Sequence, residues 1–202
     1  MRIYDFQLSQ RPDILVANSQ NIKKRINKFY RRDAEVINPP VDLSEFESIK
    51  KDTSDYFLSL ARLDPDKNID LVIKTFNSNG QPLVIVGTGR EEARLKKLAK
   101  SNITFAGKVS DKERVQMLAN AKALICAASE EDFGITAIES QAAGTPVIAL
   151  YQGGYKETVI DGKTGVFFSD LQIGSLQLAI NKFETMKFKT EELKKNAARF
   201  SK

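Results

Sequence analysis

The sequence predicts an α/β fold in which a mainly parallel, doubly wound sheet carries helices on both faces. Short apolar runs that are typical of strands recur at positions 56–60, 83–86, 103–105, 124–126, 147–149 and 166–168. Helical stretches separate most of these runs, and no internal repeat interrupts the series. Strands that alternate with helices are typical of parallel sheets, because each crossover helix returns the chain to the same end of the sheet.

The composition is that of a globular chain with a modest positive charge. Of the 202 residues, 42% are hydrophobic, which is enough to bury the core of one large or two small domains. The net charge of +5 suits an anionic ligand or an acidic membrane surface and does not require nucleic acid. No run approaches the ~20 apolar residues of a membrane span, and the N-terminus lacks a signal-peptide pattern. We therefore expect a cytoplasmic protein, with peripheral contact at the inner membrane face as an alternative.

Three residue types limit the chemistry that the chain can perform. Histidine, the commonest general base and metal ligand, is absent. The single cysteine, Cys126, cannot form an internal disulfide and is predicted to be a small core residue of a strand. Asp64-Pro65-Asp66 has the spacing of an Asp-x-Asp metal site, but a proline turn with an aspartate before a helix predicts turn and cap chemistry instead. We expect neither a metal nor another cofactor.

A basic helix is predicted near the N-terminus. Residues 13–19 predict a buried strand that ends in a cap, and residues 34–37 predict a second, short strand. Between them, Ile22, Ile26 and Phe29 mark one face of a helix. Its other faces carry Lys23, Lys24, Arg25, Lys28, Arg31 and Arg32. Such a charge run predicts a solvated face, or alternatively a surface for anionic lipid.

Residues 130–149 carry the strongest sequence evidence for a functional site. From Gly134 onward, apolar residues fall on one face at helical spacing, so a helix is predicted to begin near Phe133-Gly134. The start of a helix presents unpaired N–H groups and partial positive charge, which suit a phosphate. Glu131 lies on the loop before this helix, and Glu139 lies more than one turn inside it. Both can reach the crevice at the carboxyl ends of parallel strands, where ligands of such sheets bind.

This stretch resembles the two-glutamate signature of retaining, nucleotide-sugar-dependent glycosyltransferases of the GT-B fold, the group 1 family. The likeness comprises the spacing of the glutamates, the Phe-Gly pair and the trailing Ala-x-Gly-x-Pro-Val-Ile sequence. The resemblance implies a Rossmann-like domain that forms the C-terminal half of a GT-B enzyme. It also implies that Glu131 meets the donor sugar and Glu139 the ribose. The residues of the helix start would bind the donor as well, namely Phe133, Gly134, Ile135 and Thr136.

A second group of candidate site residues follows the strand at 56–60. Arg62 and Lys67 stand on the loop at its carboxyl end, where positive charge could stabilise a diphosphate leaving group. The family uses an arginine and a lysine with four residues between them for this purpose, and the spacing matches. The resemblance therefore implies that Arg62, Lys67 and Glu131 are catalytic residues of a metal-independent reaction.

The loop after the strand at 103–105 is the candidate site for the nucleobase. In the family the base meets main-chain groups at a valine, which implies a role for Gly107 and Val109. Asp111, two residues on, could accept hydrogen bonds from the N1 and N2 donors of guanine, which uracil does not possess. This favours a GDP-mannose-like donor. The alternative is that Asp111 is the N-cap of a helix that begins near Lys112.

The remaining likeness lies in glycine-containing segments near the end of the domain. Gly153-Gly154 followed by Glu157, and Asp161-Gly162 followed by Gly165, match two segments of the family. Amphipathic helices are predicted beyond them, at 172–183 and 191–200. In the family the last helix often crosses back to brace the N-terminal domain, and in this chain we expect it to have nothing to brace.

We interpret the chain as the donor-binding half of a hexosyltransferase. The predicted parts are a remnant of an N-terminal acceptor domain at 1–40, a linker at 41–54, a nucleotide-sugar-binding domain at 55–184 and a C-terminal helix at 185–202. The expected reaction transfers a hexose, with mannose favoured, from a nucleotide-diphosphate sugar to a glycan or lipid-linked acceptor. A missing N-terminal domain or a separate subunit would bind the acceptor, so the chain alone is expected to bind donor without turnover.

Three other functions are compatible with the sequence. One is a glucosyl- or galactosyltransferase that uses a UDP-sugar. Another is a sugar-nucleotide epimerase of the same fold, against which the absence of histidine and the two-glutamate signature count. The last is a non-catalytic module that binds a nucleotide sugar.

Overall fold

The computed structural model describes residues 2–49, 52 and 54–202, which form two parallel sheets. The smaller sheet pairs β1 (Val16–Ala17) with β2 (Glu35–Val36). The larger sheet consists of β3 (Phe57–Leu60), β4 (Leu83–Val86), β5 (Ile103–Gly107), β6 (Leu124–Cys126), β7 (Val147–Leu150) and β8 (Gly165–Phe168). Its strand order is β5-β4-β3-β6-β7-β8, and every neighbouring pair is parallel. All six predicted strands are confirmed to within two residues of their predicted bounds.

Helices cover both faces of the larger sheet, as predicted. In chain order the helices are α1 (Arg2–Ser9), α2 (Gln20–Tyr30), α3 (Ile69–Asn79), α4 (Glu92–Leu98), α5 (Asp111–Asn120), α6 (Ile135–Ala142), α7 (Tyr155–Thr158), α8 (Ile173–Glu184) and α9 (Thr190–Ala198). Phe57 packs with Phe76 of α3 and Phe183 of α8 on one face, whereas Leu58 enters the core with α5 and α6 on the other. Consecutive strand residues point to opposite faces, which is why the central strands are apolar throughout.

The strand order creates a crevice at the centre of the sheet. β3 and β6 are neighbours, but the chain continues from β3 to β4 on one side and from β6 to β7 on the other. The loops that leave the carboxyl ends of these two strands therefore diverge, which leaves room for a ligand between them. The loop after β3 carries Arg62 and Lys67, and the loop after β6 carries Glu131.

The N-terminal segment corrects one prediction. The strand predicted at 13–19 is only Val16–Ala17, and of these residues only Ala17 is buried. Ile14 and Val16 are exposed. Among the described residues, the small sheet is covered on one face only, so just one side of β1 is buried. Ser19 is the N-cap of α2, as predicted, and its hydroxyl accepts a hydrogen bond from the N–H of Ile22.

The C-terminal helix α9 packs against α6. This contact does not test the expectation that the helix braces no N-terminal domain, which stays a prediction. The side-chain amide of Asn196 donates to Gln141 Oε1 at 2.6 Å and to the carbonyl oxygen of Thr158 at 2.8 Å. Phe200 stacks edge-on against Phe133, with ring centroids 5.4 Å apart. The last helix thus supports the helix that carries Glu139.

The connecting segment is only partly a spacer. Residues 50, 51 and 53 of the predicted linker, and Met1, lie outside the described residues. Ser44–Phe46 form a 3₁₀ turn, and the Phe46 side chain is buried in the core beside α6. Val41 also accepts and donates backbone hydrogen bonds at the C-terminus of the chain. Val41 and Ser44–Phe46 of the predicted linker, which we call the connector, are therefore fixed on the core of the larger sheet and on the C-terminal residues.

Candidate functional site

A cavity of about 590 Å³ opens at the carboxyl ends of the central strands. Its walls are the ends of β3, β4, β5 and β6 and the loops that follow them, together with residues of α3, α5, α6 and α7. The cavity brings together six of the residues predicted from sequence, namely Arg62, Lys67, Gly107, Val109, Glu131 and Thr136. The topology of the sheet thus assembles residues that are up to 74 positions apart into one site.

Lys67 and Glu131 form an ion pair across the centre of the crevice. Lys67 Nζ lies 3.3 Å from Glu131 Oε2, and both side chains are mostly buried. The hydroxyl of Tyr155, at the start of α7, donates to the same oxygen at 3.4 Å. Lys67 also lies 3.5 Å from the carboxylate of Asp66. The pair places one positive and one negative charge at the point where the diverging loops meet.

Arg62 is placed differently from Lys67. It lines the cavity, but its side chain is 79% exposed and its Nε lies 3.9 Å from Asp64 Oδ2. Arg90 Nε donates to the other oxygen of Asp64 at 3.2 Å. The turn predicted at Asp64-Pro65-Asp66 is confirmed as the 3₁₀ turn Pro65–Lys67. The predicted cap is wrong, because the N-cap of α3 is Asn68 and not Asp66. Within the described residues, no group of three His, Cys, Asp or Glu side chains is arranged to hold a metal.

The start of α6 is open, as the sequence predicts. Gly134 is its N-cap, with φ of 93°, and contributes no side chain to the capping position. A Cβ at Gly134 would also lie only 3.0 Å from Tyr155 Cδ1. Glycine is therefore required both by the backbone angle and by the contact with α7. The N–H groups at the start of α6, beside the cavity residue Thr136, are suited to an anion.

Two further glycines fix the Glu131 loop. The N–H of Gly154 donates to the carbonyl oxygen of Glu131 at 2.8 Å. A Cβ at Gly153 would overlap this carbonyl group, and a Cβ at Gly154 would overlap the backbone of Phe133. The Gly-Gly pair thus lets α7 press directly on the loop, which positions Tyr155 beside Glu131.

Arg114 is a site residue that the sequence did not reveal. It lies on α5, lines the cavity, and has its Nη1 2.8 Å from Glu139 Oε1 on α6. The geometry at Nη1 does not meet that of a hydrogen bond, so the contact between Arg114 and Glu139 is an ion pair. Burial raises the pKa of Glu139, and the charge of Arg114 opposes that shift. No sequence signal links positions 114 and 139, because the pairing depends on how two helices pack.

The structure places the other predicted residues away from the cavity wall. Phe133 is in the core, where its ring packs on Phe200, and Ile135 is exposed. Asp111 is the first residue of α5, and its side chain is 83% exposed. Its alternative assignment as N-cap is wrong, because Ser110 is the N-cap and forms a capping box with Glu113.

Two buried groups beside Glu131 are held in their neutral forms. Burial is the main cause that raises the pKa of the Tyr155 hydroxyl, and the nearby Cys126 and Glu131 raise it further. Cys126 is buried on β6, which confirms the prediction of a core cysteine, and its burial raises the pKa of the thiol. Tyr155 is therefore a hydrogen-bond donor to Glu131 at neutral pH.

Comparison with solved structures defines the class of fold. The six-stranded parallel sheet and its helices match the fold of solved GT-B glycosyltransferases. Anabaena Alr3699/HepE in complex with UDP and glucose covers 99% of this chain with a TM-score of 0.83 and 19% identity, and the match spans 62% of that chain. Sucrose-phosphate synthase from Thermosynechococcus elongatus covers 99% with a TM-score of 0.82 and 21% identity, over 57% of that chain. At such identities the likeness shows the fold, which is the Rossmann-like fold of GT-B enzymes.

The chain belongs to the family described as glycosyl transferases group 1, whose model matches residues 41–200. It is 34% identical over 155 residues to the alpha-1,3/1,6-mannosyltransferase ALG2 of Dictyostelium discoideum, a match that covers 63% of this chain and 37% of that protein. It is 30% identical over 179 residues to the O-antigen chain mannosyltransferase RfbU of Salmonella typhimurium, covering 83% of this chain and 50% of that protein. The chain thus spans half or less of the length of these relatives. Among the described residues, no helix combines the length and apolar character needed to cross a membrane.

Proposed function

We propose that the chain binds the donor in a retaining hexosyltransferase that transfers mannose from a nucleotide-diphosphate sugar to a glycan or lipid-linked acceptor. Membership of the family and the names of the two mannosyltransferase relatives support this proposal. The observation that carries it is the ion pair of Lys67 with Glu131, which stands at the meeting point of the diverging loops beside the open start of α6.

The geometry suggests a division of roles along the cavity. The ammonium of Lys67, the guanidinium of Arg62 and the start of α6 would stabilise the negative charge that develops on the departing nucleotide diphosphate. Glu131 would accept hydrogen bonds from sugar hydroxyls, and Glu139 would do so from the ribose. Catalysis would then rest on electrostatics and positioning, with the positive charge supplied by side chains and a helix.

Calorimetry with GDP, UDP and ADP and with their sugars tests donor binding directly. We expect the chain to bind one nucleotide diphosphate and its sugar, and we expect Glu131→Gln to weaken the sugar nucleotide more than the free diphosphate. Glu47→Gln, an exposed glutamate of the connector, is the control. Absence of binding to all three nucleotides would refute the proposed function.

The preferred base is a separate question, for which we favour guanine. The exposed carboxylate of Asp111 lies 3.5 Å from Arg114 Nε, next to the cavity, and could turn to accept the paired N–H groups of guanine. Uracil is the second candidate, because a structural neighbour was solved with UDP and because Asp111 lies outside the cavity wall. Since Ser110 is the N-cap, Asp111→Asn tests the base contact without removing a cap. We expect it to weaken GDP relative to UDP by about 1 kcal/mol, and equal losses would favour uracil.

The acceptor would be bound by another domain or subunit. Several apolar side chains of residues 2–40 are exposed, namely Ile3, Tyr4, Ile14, Val16, Phe29 and Ile37, and a partner surface would cover them. We therefore expect the isolated chain to bind donor without transferring sugar. Turnover by this chain above that of a Glu131→Ala control would contradict this expectation.

An anionic membrane is a weaker candidate partner, for the basic helix α2. Part of its charge is engaged within the chain: Lys23 pairs with Asp33 at 2.9 Å and Arg25 with Glu130 at 3.4 Å. Arg32 donates to three backbone carbonyl groups of residues 9–13. Sedimentation with vesicles of acidic lipid tests this proposal, and binding should fall when Lys24 and Lys28 are replaced by glutamine. Absence of vesicle binding at low salt would refute it.

A further inference from the structure

We propose that Arg114 is a positioning residue that holds Glu139 as an ionised acceptor for the two hydroxyls of a ribose. This assignment rests on the proposed function, because it concerns the nucleotide end of the same cavity. Arg114 is not part of the family motif on α6. The proposal gives a function to its guanidinium, which contacts three carboxylates.

The guanidinium of Arg114 is the meeting point of three structural elements. Its Nη1 lies 2.8 Å from Glu139 on α6, its Nε lies 3.5 Å from Asp111 on α5, and its Nη2 lies 3.6 Å from Glu45 on the 3₁₀ turn of the connector. The side chains of Arg114 and Glu139 are only 20% and 17% exposed, whereas the other two carboxylates are open to solvent. The shortest contact is therefore also the one most shielded from water, where a charge interaction is strongest.

The charges around Glu139 show why Arg114 matters. Burial raises the pKa of this carboxyl, and the carboxylates of Glu45 and Asp111 raise it further. Arg114 is the group that lowers it, first by its charge and then by its side-chain contact with the carboxylate. Without Arg114, the surroundings of Glu139 would favour its protonated form. A protonated carboxyl loses acceptor capacity, and a ribose offers two hydroxyl donors to one carboxylate.

The net charge of the cluster around Arg114 also indicates which part of a nucleotide would bind beside it. One guanidinium faces three carboxylates, so the cluster is negative overall, and phosphate would be repelled from it. Lys67 and the open start of α6 offer positive charge at the other end of the site. A sugar with neutral hydroxyls fits the Arg114 end, and a diphosphate fits the Lys67 end.

A measurement without ligand tests the first step. We would follow the titration of the Glu139 carboxyl by carbon NMR in the wild type, in Arg114→Met and in Arg114→Lys, with Glu139→Gln to assign the signal. The pKa of Glu139 should be higher in Arg114→Met than in the wild type, and Arg114→Lys should return it towards the wild-type value. Arg94→Met, an exposed arginine of α4, is the matched control and should leave the titration unchanged.

Binding measurements test the second step. For UDP and GDP, Arg114→Met should lose about tenfold in affinity at neutral pH. The loss should shrink as pH rises, because Glu139 then ionises without help. Inorganic pyrophosphate should bind the wild type and the variant equally. The wild type should also discriminate against a 2′,3′-dideoxy nucleotide, and Arg114→Met should no longer do so.

The outcomes separate this assignment from the proposed function. Failure of the wild-type chain to bind any of UDP, GDP and ADP would refute the proposed function and this inference together. Wild-type binding with an unchanged Glu139 titration in Arg114→Met would refute the role of Arg114 alone. An equal loss for pyrophosphate and nucleotide would place Arg114 at the phosphates, and would also overturn the assignment.

Discussion

The site contains two charge pairs of the same kind in different structural settings, which we call the loop end and the helix end. Lys67, Glu131 and Arg114 line the cavity, whereas Glu139 pairs with Arg114 and is not itself a lining residue. At one end Lys67 and Glu131 meet at 3.3 Å, and both residues stand on loops that leave the central strands. At the other end Arg114 and Glu139 meet at 2.8 Å, and both stand on helices of one face of the sheet. Each glutamate is thus held by one cation from a different element of the chain.

The two ends are held in place by different kinds of contact. The loop of Glu131 depends on direct backbone contact with Gly153 and Gly154, and on the hydroxyl of Tyr155. Glu139 depends on the packing of α6, which α9 supports through Asn196 and Gln141. Under the proposed function, the loop end would contact the reacting sugar, and the helix end would hold a part of the ligand that does not react.

The largest effect on binding should come from removing the cation at the loop end. Lys67→Ala should weaken binding of a nucleotide diphosphate by about 1.5–3 kcal/mol, because it removes a charge-assisted contact with phosphate. Nucleoside binding should change little, and calorimetry with both ligands measures the difference. Lys74→Ala, which breaks an exposed pair with Asp70 on α3, is the matched control. A similar loss for nucleoside and diphosphate would place Lys67 away from the phosphates.

The glycine contact that supports the Glu131 loop should be the next most sensitive feature. Gly154→Ala places a Cβ against the backbone of Phe133, and the strain should cost about 1–3 kcal/mol of the free energy of unfolding. Gly174→Ala is the control, because a Cβ there has open space. Denaturant unfolding measures both variants, and equal stability of the two would mean that the loop can move aside without cost.

The buried carboxyl at the helix end should impose a smaller, pH-dependent cost on stability. Burial raises the folded-state pKa of Glu139 above its unfolded value of about 4.3. Between these two pKa values the folded chain binds more protons, so this group makes stability fall as pH rises through that window. Glu139→Gln should remove this contribution, which denaturant unfolding from about pH 4 to pH 7 would detect. The same slope in both proteins would contradict the prediction.

The smallest effect should be the coupling between the two ends. In the part of the chain that the structure describes, the two pairs share no ion-pair partner. Lys67 contacts Asp66 and Glu131, whereas Arg114 contacts Glu45, Asp111 and Glu139. The losses of nucleotide diphosphate affinity in Lys67→Ala and Arg114→Met should therefore add in the double variant to within about 0.5 kcal/mol. A larger deviation would show that the ends act as one unit.

Much of the fold follows from the sequence because its signals are local. The parallel sheet was predicted from apolar runs, and Leu83–Val86 and Leu124–Cys126 match their predicted bounds. The start of α6 at Gly134 was predicted from helical spacing and a glycine. Lys67 and Glu131 were both placed at carboxyl ends of parallel strands, which share an edge of the sheet. The resemblance to the family implied that they belong to one site, and their ion pair was not predicted.

Features that depend on how elements pack were decided only by the tertiary structure. The ion pair of Arg114 with Glu139 requires two helices to present their side chains to each other, and neither helix pattern encodes that contact. The exposure of Val16 and the packing of α9 on α6 depend equally on which elements lie opposite them. The sequence by itself determined the class of fold and identified the residues that lie in the crevice because they follow a turn or the end of a strand. The tertiary structure decided which charges meet, because an ion pair depends on distances that only the packed helices and loops fix.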